Sequence, residues 1–345
     1  MKELIKNYIS SAFFIILGYV FYTQNSYYKG FLFFDIQFIN TKINTLDIFQ
    51  FLLYLYLALL IPFYLVENNK SKARIVLNSI KNKLTIKNYK IKDEEKNSIL
   101  AWIVKFFFAP LMIIWIFQNL GVIVNKVYYG FNETSTFFQN FYYFYNNYIF
   151  LTIFKLIIFI DLLFFTLGYL LESKYLGNKI KSVEPTVLGW LVALICYPPF
   201  NSVMDNFFAW YSSETPMFNN FYVHIILNSL LLVFFAIYSR ASVALGLKAS
   251  NLTNRGIISK GPYKYVRHPA YISKNISWFI GALPIIFINI KEFNIYNLFL
   301  IFASISAWGF IYYMRAVTEE RHLELDDEYI EYKKKVKYKF IPKIF

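Results

Sequence analysis

Two stretches of this 345-residue chain carry residue types suited to chemistry on a bound small molecule. The first begins Arg255-Gly256-Ile257-Ile258 and continues Gly261-Pro262-Tyr263-Lys264-Tyr265-Val266-Arg267-His268-Pro269-Ala270-Tyr271. Gly261-Pro262 punctuates a turn. Pro269 disfavours helical geometry at His268 and is itself suited to open a helix. Rings, cations and a histidine are thus held in irregular backbone just before an apolar run. The second stretch, about fifty residues on, is Arg315-Ala316-Val317-Thr318-Glu319-Glu320. An arginine offers a planar fork to a carboxylate, and a glutamate offers a charge to an ammonium. Simpler readings exist for each residue alone. Arg315 and Glu319, four apart, make an ordinary helical pair worth ~0.3–0.5 kcal/mol. Arg267 and Lys264 suit interfacial anchors, and Tyr263, Tyr265 and Tyr271 an aromatic belt.

The elements that must position these residues are membrane spans. Hydrophobic residues make up 57% of the chain and charged ones 16%, against about 25% charged in ordinary globular domains. That excludes disorder, and the single Cys196 excludes a disulfide scaffold. The expected fold class is an all-α polytopic membrane protein with about eight transmembrane helices and a cytoplasmic C-terminal helical cap. Apolar runs place the spans at 8–24, 48–66, 99–124, 147–171, 187–203, 221–239, 271–290 and 295–314. The pieces then expected on the cytoplasmic side are 1–7, 67–98, 172–186, 240–270 and 315–345, which hold 28 of the 35 lysines and arginines. This positive-inside pattern puts both termini in the cytoplasm. It also accounts for the net charge of +14 without a nucleic-acid partner. Lys105 and Lys274 are expected to snorkel to the interface. Both chemical stretches leave the membrane on the same side.

Gly-Pro-Tyr followed by Arg-His-Pro-x-Tyr at 261–271, then RAVTEERHL at 315–323 and DDEYIEYKKKVKYKFIP at 326–342, resembles the isoprenylcysteine carboxyl methyltransferase family and the related membrane phospholipid methyltransferases. The resemblance covers about 221–345. It divides the chain into an N-terminal transmembrane region, 1–220, with five spans, and a methyltransferase-like core, 221–345, with three. It implies S-adenosylmethionine as cofactor, bound at the cytoplasmic face under the C-terminal helix. Carried onto this sequence, it implies cofactor contacts at Arg255, Gly256, Ile257, Ile258, Tyr263, His268, Pro269, Ala270, Tyr271, Glu319 and Glu320. Of these, Glu319, with Glu320 beside it, would face the methionyl ammonium. Arg315 would be the catalytic residue that holds a lipophilic acceptor, and no metal is expected.

A carboxylate acceptor is already nucleophilic. An amine must first lose a proton, for which His268 or Glu320 would be nearest. An NADPH-dependent membrane sterol reductase and a non-catalytic lipid-binding protein are the alternative classes. A further polar stretch, Glu172 to Phe200, runs into a proline-broken span. It reads either as a wall of the acceptor's entry or as a tight loop.

Overall fold

In hydrocarbon every backbone amide must find its partner within the protein, so long apolar runs become helices. The computed structural model describes residues 2–67 and 69–344; Met1, Asn68 and Phe345, which belong to the terminal pieces and the 67–98 loop, lie outside them. In chain order the main helices are α1 (Lys2–Gln24), α2 (Thr45–Val66), α3 (Lys72–Thr85), α4 (Asp93–Asn132), α5 (Phe141–Leu170, with a π turn at Tyr145–Phe150), α6 (Val187–Leu194), α7 (Asn201–Asp205), α8 (Phe221–Leu245), α9 (Pro269–Lys291), α10 (Ile295–Leu323) and α11 (Asp327–Lys335). Among the described residues seven are long and apolar enough to cross a membrane: α1, α2, α4, α5, α8, α9 and α10. The protein is therefore an all-α, multi-pass integral membrane protein. Among the described residues, sheet is confined to a hairpin, β1 (Asp35–Phe38) with β2 (Thr41–Asn44), and a two-residue ladder, β3 (Ser182–Val183) with β4 (Thr253–Asn254). The ladder and the packing of α5 on α8 join 1–220 to 221–345 over a shared contact surface.

The eighth expected span, 187–203, is not a continuous helix. Only the short α6 and α7 form, separated by a turn that contains Pro198 and Pro199. The segment nonetheless traverses the bundle. Thr186 meets Arg321 near one end of α10, and the Ala209 carbonyl accepts from Ser304 Oγ (2.7 Å) toward the other. Seventeen helical steps lead from Ser304 to Arg321, about 25 Å at 1.5 Å per residue, against a hydrocarbon thickness of ~30 Å.

Neighbouring helices supply the partners that this irregular backbone lacks. Ser213 N donates to the Gly281 carbonyl in the middle of α9 (3.1 Å). A Cβ at Gly281 would lie 2.3 Å from Ser213 O, so the approach requires glycine. Asn228 Nδ2 donates to Pro216 O (3.2 Å), and Phe218 N donates to Nδ1 of the fully buried His224 (3.3 Å). Trp210 wedges edge-on between Trp278 and Trp308, at 4.9 and 5.5 Å.

All five basic pieces gather at one end of the bundle. Arg74 pairs with Glu3; Lys72 and Lys105 converge on Glu172; Lys181 pairs with Asp326 (2.9 Å) and Arg267 with Glu320 (2.8 Å). Lys105, reaching toward that end, is half of a clamp on Glu172. Burial would raise the Glu172 carboxyl; the charges and hydrogen bonds of Lys105 and Lys72 together outweigh it and hold the group well below the usual range.

The broken crossing puts 172–186 and 204–220 on opposite sides. In a Cys196→Ala background, cysteines introduced for Glu214 and for Lys87, both exposed, are expected to react with a membrane-impermeant maleimide from opposite faces of sealed vesicles. Labelling of both from one face would mean that 187–220 turns back without crossing.

Candidate functional site

The end of α10 is held by charge. Arg267 Nε donates to Glu320 Oε1 (2.8 Å), and its Nη1 donates to the carbonyls of Val336 (2.9 Å) and Lys337 (2.6 Å). The backbone amides of Arg267 and His268 donate to Tyr338 O (3.0 Å) and Lys339 O (2.9 Å). His268 Nε2 lies 3.1 Å from Glu320 Oε1, while Lys333 and Lys339 lie 3.6 and 3.5 Å from its Oε2. The Arg267 and Glu320 side chains are 7% and 5% exposed, so these contacts replace water almost completely.

The C-terminal helix closes over the first chemical stretch. Ile257 and Tyr263 pack with Leu323 on Tyr329, Tyr332 and Val336. Tyr332 Oη donates to Tyr263 O (2.8 Å), and burial raises both phenols, which keeps them neutral. Asp326 caps α11 and accepts from Asn254 Nδ2 and Lys181 Nζ, each at 2.9 Å. Burial would raise its carboxyl; those donors and the Glu328 amide hold it below its usual value.

Glu319 differs from its neighbour. Its side chain is 45% exposed, and among the described residues no lysine or arginine lies within 4.0 Å of it. Tyr271 Oη donates to its Oε2 (2.6 Å), with His268 Nδ1 3.8 Å away. The two chemical stretches therefore meet, as the sequence leads one to expect. The Tyr271 ring stacks on His268 at 5.2 Å and on its other contacts meets the Arg315 guanidinium, also at 5.2 Å. Arg315 does not pair with Glu319. It lies 5.0 Å from the Tyr312 ring and donates from Nη2 to Asn251 Oδ1 (3.1 Å), itself held by Tyr169 Oη, which accepts from Asn251 N (2.8 Å). Such cation–ring contacts gain strength when desolvated, and Arg315 is buried.

The remaining expected residues are placed unevenly. Pro269 opens α9, and Ala270 follows half-buried. Gly256 sits at φ +97, where a side chain is strained, and a Cβ there would meet Lys248 Nζ at 2.9 Å. Ile258 is half-buried beside Ile257. Arg255 turns away from α10: its Nη1 donates to the carbonyls of Leu171 (3.4 Å) and Asn178 (3.2 Å).

Sequence reasoning missed several contacts. The 172–186 stretch, left open by the sequence between an entry wall and a tight loop, is tied to the strand at 253–254 and to the end of α10. It pairs with 253–254, Glu184 is buried against Arg321 (2.8 Å), and Ser182 Oγ lies 2.8 Å from His322 Nε2. The Lys274 ammonium lies 5.3–5.7 Å from the rings of Trp278, Tyr238 and Tyr312. Asp161, buried in α5, accepts from Tyr238 Oη (2.8 Å) and Ser242 Oγ. The signal for Asp161 was its presence in an otherwise apolar span. Asn251 carried none.

Residues 223–325, in the C-terminal third, match the isoprenylcysteine carboxyl methyltransferase (ICMT) family; the match includes the motifs at 261–271 and 315–323 and ends before that at 326–342. No curated protein shows a significant match to the chain, and no solved structure does.

The two adjacent glutamates should respond unequally to mutation. Glu320→Gln strands buried Arg267 and is expected to cost about 3–5 kcal/mol of stability. Glu319→Gln should stay within about 0.5 kcal/mol. Thermal unfolding in detergent checks both; equal losses would remove the structural distinction between them.

Proposed function

We propose that the protein transfers a methyl group from S-adenosylmethionine to a lipophilic acceptor, and that the basic end of the bundle, with both termini, faces the cytoplasm. The observation that carries this reading is the contrast between the glutamates within the family-matched segment. Glu320 is saturated by cations, whereas Glu319 is exposed, without a lysine or arginine, and aligned by Tyr271. A half-exposed carboxylate with no permanent cation fits an ammonium from a ligand. The orientation is supported by the 28 basic residues on the five pieces gathered there.

In this reading Glu319 and Tyr271 take the cofactor's ammonium. Gly256, Ile257, Ile258, Tyr263, His268, Pro269 and Ala270 form the wall under α11. Glu320 acts as a positioning residue, because its carboxylate is occupied by Arg267 and His268. Arg255 acts through the backbone of 171–178, which it fixes. The cofactor, when bound, supplies an electrophilic methyl group on a sulfonium.

The chain's own work is then alignment and exclusion of water. Arg315 is fixed by Asn251 and by two rings, so its fork is oriented before an acceptor arrives. A carboxylate acceptor needs only that orientation. An amine would pass its proton to His268, whose Nδ1 faces the exposed Glu319.

Glu319→Gln keeps the shape and removes the charge. A charge-assisted contact is worth roughly 1.5–3 kcal/mol, and solvent at this exposure brings the effect toward the lower value. Affinity for S-adenosylhomocysteine in detergent is therefore expected to fall about tenfold. Arg315→Lys should leave that affinity unchanged and lower methyl transfer to extracted membrane lipids supplied with methyl-deuterated cofactor. Unchanged affinity in Glu319→Gln would remove Glu319 from the cofactor site. Binding of NADPH in place of S-adenosylhomocysteine would replace methyl transfer by reduction.

A further inference from the structure

A large cavity lies outside the family-matched segment. A cavity of about 450 Å³ opens among α1, α2, α4 and α5. Its walls are apolar, with Phe14, Leu53, Phe63, Trp102, Phe106 and Ile113 among them. Leu55 and Leu59 line it and are also 41% and 54% exposed on α2, so it opens sideways, where acyl chains would lie. Along α1 it reaches from Ser11 to Tyr22, about 16 Å at 1.5 Å per residue. That is half the ~30 Å hydrocarbon thickness, the depth of one leaflet.

The cavity's polar end is cationic. Lys70, Lys72, Lys105, Lys174 and Lys179 line it, against only Glu67 and Glu172. Both carboxylates are already engaged. Glu172 faces Lys72 and Lys105, and Glu67 accepts from Ser173 Oγ (2.9 Å). Lys70, Lys174 and Lys179 have no carboxylate partner among the described residues. Burial brings Lys72 down to about 8 although Glu172 faces it, with Lys105 and Arg255 adding repulsion.

We infer that the cavity binds one anionic phospholipid, its phosphate headgroup among these lysines and an acyl chain between α1, α2 and α4. Charge complementarity selects the occupant, because a zwitterionic lipid would bring a cation to a site that already has an excess of them. The site is not isolated from the proposed chemistry. Tyr169 lines the cavity and holds Asn251, the residue that fixes Arg315. Lipid occupancy itself does not depend on the methyltransferase reading.

Trp102, on the cavity wall, reports on it. The purified full chain in detergent is titrated with phosphatidylglycerol brominated on its acyl chains, and separately with brominated phosphatidylcholine. Quenching of Trp102 is taken as the difference between the wild type and Trp102→Phe. Phosphatidylglycerol is expected to quench at roughly tenfold lower concentration. Lys70→Gln with Lys179→Gln should largely abolish that preference. Both lysines are exposed, so the fold should tolerate their loss, whereas removing Lys72 or Lys105 would leave Glu172 poorly compensated. Filling the cavity with Ala109→Phe should suppress quenching by both lipids. Inorganic phosphate should fail to displace the brominated lipid, since it has no chain to bury; displacement would mean a free-anion site and overturn the lipid assignment. Equal quenching by the two lipids, or quenching that persists undiminished in Ala109→Phe, would overturn it as well.

Discussion

Arg267 and Glu320 meet where neither charge can be hydrated, and their contact sets the geometry of everything near them. Successive residues on an α-helix are rotated by about 100°. Once Glu320 is fixed inward against Arg267 and His268, its predecessor Glu319 must emerge on a different face, where Tyr271 meets it. The same guanidinium anchors the carbonyls of Val336 and Lys337, so the tail is drawn across the start of α9 and α11 is laid over Ile257 and Tyr263. Buried ion pairs add little net stability over an apolar substitute, but breaking one by removing a single partner is costly. Here the pair joins three segments that are distant in sequence and gives them one mutual arrangement.

A second constraint comes from the bilayer. Between Thr186 and Asn220 the chain crosses without a continuous helix, and hydrocarbon cannot satisfy its amides and carbonyls. Ser304, Asn228, His224 and the Gly281 carbonyl take that role, each from a different turn of α8, α9 or α10. The crossing is therefore dependent on those helices and is shaped by them.

The spans were legible because their signal is additive: about twenty apolar residues together outweigh any local ambiguity. So were Pro269 as a helix start and the convergence of 255–271 with 315–323, since charge distribution fixed their common side. Helix ends were less legible. α4 begins at Asp93 and α10 runs on to Leu323, because polar residues continue a helix beyond the hydrocarbon without contributing to an apolar run. The crossing at 187–203 is countable as a span from its composition, and Pro198 and Pro199 mark it as broken; where the break falls and what satisfies it are not legible. What could not be read were pairings made between ordinary side chains 64 to 145 residues apart. Asn251 with Arg315, Lys181 with Asp326 and Ser182 with His322 leave no periodic trace. Nor does the sequence distinguish Glu319 from Glu320, since their difference is one of burial.

Tyr271 stands between two polar groups that do not touch. Its hydroxyl serves Glu319 while its ring lies against Arg315. A ligand that competes for the Glu319 carboxylate alters the hydrogen bond that helps to hold this ring, and a ligand gripped by Arg315 presses on the same ring from its other contact. Two binding events that bias a common side chain are thermodynamically linked. Linkage is symmetric for binding free energies: whatever factor the first ligand contributes to the affinity of the second is returned in full. In the proposed reading, the shared tyrosine would therefore couple the two halves of this site through a single aromatic residue.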